Sequence, residues 1–168
     1  RGKAENVLIC TVRWESETPL YSLSDFQMEM EEVKSYFQEN SYGQVDLAFQ
    51  YAGNKVWSGP LPSDTDALTK AAVEICDPSI NFNEVNNMII YPDTSNVGHA
   101  SPEPKSITTN EGNFTIGIEY IGQNNFQSSL IQHELGHGLF KLLHANALEC
   151  NSVSYKNEGC TILDYGNP

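Results

Sequence analysis

Residues 133–137 read His-Glu-Leu-Gly-His. Side chains four apart lie one above the other only on an α-helix, so this pentapeptide is chemically useful in that conformation and in no other. His133 and His137 then present two imidazoles on one helix face, while Glu134 sits on the flank. The flanking Leu130, Ile131 and Leu139 are apolar, as are Leu135 and Gly136 within. The segment therefore reads as a helix buried in a layered domain, and buried imidazoles need partners. A metal ion gripped by both rings supplies one. The HExxH spacing matches a zinc (Zn2+) site in which the glutamate reaches a water beside the ion and acts as its general base.

The rest of the chain shows what such a helix packs against. Residues 7–14 read as a buried strand, and Phe26, Met30, Val33 and Phe37 recur at helical spacing behind Ser24, with Gln27 completing a capping box. The Ser41-Tyr42-Gly43 segment ends that helix, and Val45, Leu47, Phe49 and Tyr51 alternate as in a half-exposed strand. Breakers at residues 59–62 precede a second helix opened by Ser63 and Asp66, bearing Leu68, Ala71, Ala72 and Ile75 and closed by Asp77-Pro78. Residues 87–91 and 114–121 are apolar strands. Between them, residues 92–104 read as a long polar loop carrying His99, a solvated histidine with a substrate contact as its other reading. The asparagines of residues 122–125 are placed to cap the histidine-bearing helix. Strands alternating with helices predict an α/β domain with a mostly parallel sheet. Met28, Met30 and Met88 read as core filler rather than thioether ligands.

The 168 residues fit one domain and carry 22 acidic against 9 basic side chains, a formal charge of −13. That balance argues against nucleic acid or an anionic membrane as partner; it suits solubility outside cells and is compatible with basic substrates. The apolar runs at 7–12 and 88–91 fall far short of the roughly 20 residues that span a bilayer. The chain begins Arg1-Gly2 with neither initiator methionine nor signal sequence, so it reads as a processed or trimmed product whose export is inferred rather than read, and a monomer is expected. Cys150 and Cys160 bracket a polar loop of the kind a disulfide closes, whereas Cys10 and Cys76 read equally as a second bridge or as two buried thiols. No CxxC pair exists, which argues against a four-thiolate zinc site. A calcium (Ca2+) site in residues 92–96 or the acidic loops finds no EF-hand spacing to support it.

Catalytic zinc takes three protein ligands plus water, so His133 and His137 leave one position. His144 is the first candidate. On a continuous helix it would stand roughly 10 Å beyond His137, so the helix must stop, and Gly136 and Gly138 supply backbone freedom for a turn just after His137. Glu149 and Asp164 are the oxygen-donor alternatives, and Tyr165 a further, switchable one.

Taken with Ser41-Tyr42-Gly43-Gln44-Val45, the His144-Ala145-Asn146 segment with Cys150 beyond it, and Asp164-Tyr165-Gly166-Asn167-Pro168, the HELGH motif resembles the gametolysin family of metzincins. The resemblance is loose over most of the chain and strong from His133 onward. It implies a metzincin-like (zincin) domain with a twisted, mostly parallel five-stranded sheet, an antiparallel edge strand, two backing helices and an active-site helix ending at a turn. It also implies a secreted zinc metalloendopeptidase with Glu134 as catalytic base and a third histidine beyond the turn. In HExxHxxGxxH, Gly stands where this chain has Phe140, and His144 arrives one residue late; one inserted residue accounts for both. No methionine follows the motif, so the chain reads as a single catalytic domain ending before the family's Met-turn. An extended substrate would add to an exposed strand edge within residues 106–120. The rival function is a zinc-stabilised binding or adhesion module without activity.

Overall fold

The computed structural model describes residues 4–13, 21–92, 98–101, 103–122, 126–140, 147–150 and 160–163; for residues 98, 99, 147–150 and 160–163 the backbone alone is described. Strand β1 (Ala4–Arg13) is buried from Val7 onward. Helix α1 (Leu23–Asn40) buries Phe26, Met30, Val33 and Phe37, the stripe anticipated from their spacing. Its cap is Ser22 rather than Ser24. Ser22 Oγ accepts the Asp25 amide at 3.2 Å and the Asp25 carboxylate accepts the Ser22 amide at 2.7 Å, a reciprocal box two residues ahead of the expected Ser24 and Gln27. At the other end Tyr42 and Gly43 take positive φ of 55° and 74°, and the Gly43 amide donates to Gln38 O at 2.7 Å, which turns the chain back into β2 (Asp46–Val56).

Helix α2 (Thr65–Cys76) is capped by Asp64, whose side chain accepts the Ala67 amide, one residue beyond the expected Ser63. Strand β3 (Asn87–Pro92) is buried throughout. The polar stretch read as loop contains a short strand, β4 (Gly98–Ala100), followed by the hairpin β5 (Lys105–Thr109) and β6 (Gly112–Ile121). Helix α3 (Ser128–Phe140) carries the histidines, and β7 (Ala147–Cys150) pairs antiparallel with β8 (Cys160–Leu163).

Five strands run in the order β2-β1-β3-β6-β4, parallel except for β4 at the edge, and β5 extends the sheet by pairing antiparallel with the first half of β6. This is the α/β sheet with three helices anticipated from the alternation of periods. The chain leaves β1 for β2 in one direction and returns across β1 to β3 in the other. Right-handed crossovers therefore place α1 and α2 on opposite faces. The side chains obey: Leu8, Cys10 and Val12 pack with Ala72, Val73 and Cys76 of α2, while Val7 and Ile9 pack with α1 and with Ile131 and Leu135 of α3. Cys10 and Cys76 form a disulfide across the α2 face, their Cα atoms 6.4 Å apart, which resolves the two readings of that pair. Cys150 and Cys160 stand opposite one another in the β7–β8 register. No helix among the described residues is long and apolar enough to cross a membrane.

Candidate metal centre

Ile131 and Leu135, both fully buried, fix the roll of α3 against the sheet and α1. Two residues further along is about 200° around the helix, so His133 and His137 point away from that core, and they are exposed and half-buried respectively. Their Nε2 atoms lie 3.1 Å apart with the rings nearly perpendicular, at 86°. Glu134 stands on the flank between, with 4 % of its surface exposed.

The far end of α3 rests on a polar knot that sequence reasoning missed. Glu119 of β6 and Asn87 of β3 are 0 % and 1 % exposed, and Asn87 Nδ2 donates to Glu119 Oε1 at 2.9 Å. A carboxylate in such surroundings is costly without strong hydrogen bonding. Both positions face the helix because β6 alternates: Ile116, Ile118 and Tyr120 join the α2-side core, leaving Gly117, Glu119 and Ile121 toward α3. Gly117 pairs with Asn87 in the β3–β6 register, and a Cβ on it would collide with Asn87 Nδ2. A Cβ on Gly138 would land on Glu119 Oε1, with Glu119 Cδ at 2.8 Å and Asn87 Nδ2 at 3.1 Å. The two glycines thus let helix and strands close over the Asn87–Glu119 pair. One signal was present in the sequence: a glutamate at an inward position of the apolar run Ile116-Gly117-Ile118-Glu119-Tyr120-Ile121.

The helix does not stop just after His137; it continues to Phe140, and Gly138 serves close packing rather than a turn. Its N-terminus is held from α1. The Ser128 amide donates to Glu29 Oε2 at 2.6 Å and the Ser128 hydroxyl to Glu32 Oε2 at 2.7 Å, placing two carboxylates where the helix dipole is positive. Asn124 and Asn125, expected to cap it, lie outside the described residues.

Two nitrogens each about 2.0–2.1 Å from one zinc ion at a tetrahedral angle lie about 3.3 Å apart. The 3.1 Å separation of the Nε2 atoms meets that requirement, and it equally fits an N–H···N hydrogen bond between neutral rings. His133 and His137 can hold the ion, and neutral imidazole suits zinc. Among the described residues no group of three or more His, Cys, Asp or Glu is gathered around a common point. His144, Asp164 and Tyr165 lie outside the described residues, and Glu149 is placed by its backbone alone in β7. His99 is likewise placed by its backbone, opposite Tyr120 in the β4–β6 register. Compared with known proteins, the chain matches no protein-family model and no curated protein sequence.

Proposed function

We propose that the chain is a secreted zinc metalloendopeptidase of the gametolysin-like metzincin kind, using His133, His137 and His144 as ligands and Glu134 as catalytic base. One observation carries the reading: two imidazole Nε2 atoms converge to 3.1 Å on successive turns of α3, with a carboxylate on the adjoining flank. A bound zinc ion supplies Lewis acidity toward the scissile carbonyl and makes water a competent nucleophile near neutral pH. Glu134 accepts a proton from the attacking water as the C–O bond forms, and delivers it to the amine nitrogen as the C–N bond breaks. The low exposure of Glu134 limits competing water around that proton.

An extended substrate is held by strand addition. Within the expected range, residues 106–120, β5 keeps one side without a partner strand among the described residues, whereas residues 117–120 of β6 lie between β3 and the β4 side. The edge strand that packs against α3 is β4, so β4 is the strand along which a substrate passes the histidines.

Hydrolysis of casein-like proteins, abolished by a chelator and restored by zinc, tests the reading. Glu134→Gln should retain zinc while kcat falls by about 10²–10⁴-fold, the usual contribution of a general base. Undiminished turnover by that variant overturns the assignment, and one zinc per chain without hydrolysis of any protein substrate favours the binding module instead.

A further inference from the structure

On the sheet face opposite the histidines, a groove of about 930 Å³ lies between α2 and the outer edge of β5. We propose that it is a docking site for an extended, basic peptide segment, which adds as a strand to β5. Two independent features converge on that occupant.

The first is the backbone. β5 pairs with β6 on one side, and no other described backbone group bonds to its opposite edge. A two-residue turn, Asn110-Glu111, joins the strands, which makes Thr109–Gly112 the hydrogen-bonded closing pair. Antiparallel alternation then directs the N–H and C=O groups of Ser106 and Thr108 outward, into the groove. Open edges of this kind are normally covered or blunted; here residues of α2 and of β5 line the groove together.

The second is charge. Asp66, Glu74, Asp77 and Glu103 line the groove against Lys70 and Lys105. Lys105 is already tied to Asp66, whose carboxylate raises the pKa of its ammonium group. The remaining lining is net acidic within a chain of formal charge −13, a field that steers cationic partners toward it.

The groove is also held in shape at one end. Asp77 Oδ2 accepts the Asn110 amide at 2.9 Å, which pins the hairpin tip to the end of α2. The groove is on the other side of the sheet from α3, so this site is separate from the peptidase centre, and its occupancy does not depend on turnover.

Binding is read by fluorescence anisotropy of a labelled peptide alternating arginine and threonine, with an aspartate-threonine peptide as the counterpart. The Glu134→Gln chain serves as host so that the probe stays intact whether or not the protein hydrolyses it. Saturable binding of the arginine peptide and none of the aspartate peptide is expected. Thr108→Pro removes an outward N–H from an edge strand, a position where proline is compatible with the ladder, and should weaken binding roughly tenfold. The exposed pair Glu74→Lys with Glu103→Lys, which leaves the backbone edge intact, should weaken it by a similar factor and flatten its salt dependence. Equal binding of both peptides, no saturable binding, or affinity unchanged in the charge-reversed protein each overturns the proposal.

Discussion

Gly138→Ala separates two opposed expectations for one methyl group. Helix propensity alone predicts a gain of about 1 kcal/mol, since alanine is the better helix former. The structure predicts a loss. The new Cβ would overlap Glu119 Oε1 and sit 2.8 Å from its Cδ. A flexible surface carboxylate would swing aside, but Glu119 is fully buried and receives the Asn87 amide at 2.9 Å. Lifting α3 off the sheet costs about 1–3 kcal/mol in overpacking strain. Displacing Glu119 instead leaves buried polar groups unpaired, at a cost of about 1–3 kcal/mol. Less the propensity gain, either route leaves a net destabilisation of about 1 kcal/mol and at most about 2 kcal/mol. In urea unfolding, with a slope near 2 kcal/mol/M, the midpoint should fall by about 0.5 M and at most about 1 M at unchanged slope. Glu119→Ala placed in the Gly138→Ala background should recover part of that loss, because it empties the volume the methyl needs. A midpoint unchanged or raised by Gly138→Ala, or strictly additive costs in the double variant, would refute the close approach as the reason for glycine here.

Replacing Cys10 and Cys76 together by alanine opens a loop spanning 66 residues. Loop-closure entropy puts the expected loss at about 4 kcal/mol, to be read as a lower urea midpoint, and an equally stable variant would show that the bridge constrains nothing. For the caps, hydrogen bonds from the Ala67 amide and Ser63 hydroxyl hold the Asp64 carboxyl below its ordinary value of 3.8. Its contribution to stability is therefore complete above that ordinary value and is lost as pH falls through the lower folded-state pKa. Asp64→Asn keeps a capping side chain without a charge, so acid unfolding below pH about 4 should become shallower by melts taken at stepped pH; an unaltered profile would contradict this. Zinc at a hundredfold excess over its dissociation constant should stabilise the protein by about 2.7 kcal/mol, seen as a rise in Tm. His133→Ala should abolish that rise, and a zinc response undiminished by the substitution would place the ion elsewhere.

The parts of this fold that were legible in the sequence are those written in local periodicity. The stripe of Phe26, Met30, Val33 and Phe37 and the alternation of strands with helices led directly to the layered sheet, and the i, i+4 histidines landed on one face of α3. What escaped depends on partners distant in the chain. Glu29 and Glu32 cap a helix that begins almost a hundred residues later, a relation no local signal encodes. β4 is three residues long and owes its strand geometry to the β6 ladder rather than to any apolar pattern of its own. Gly138 read as a hinge because glycine frees the backbone, whereas its missing side chain is what the Asn87–Glu119 pair requires. The open edge of β5 was within the expected range, but only topology shows that residues 117–120 of β6 are enclosed. The Cys10–Cys76 bond needed the crossover direction that brings α2 over β1.

Strand β6 works as a party wall. Its even-numbered residues from Ile116 to Tyr120 furnish the room on the α2 side, and Gly117, Glu119 and Ile121 furnish the room beneath the histidines. A one-residue deletion near its start would transpose every tenant, thrusting Glu119 into an oily layer and wedging isoleucine where the helix tolerates no bulk. Neither room can be remodelled by slipping this strand, so inherited variation in length has to accumulate at its ends.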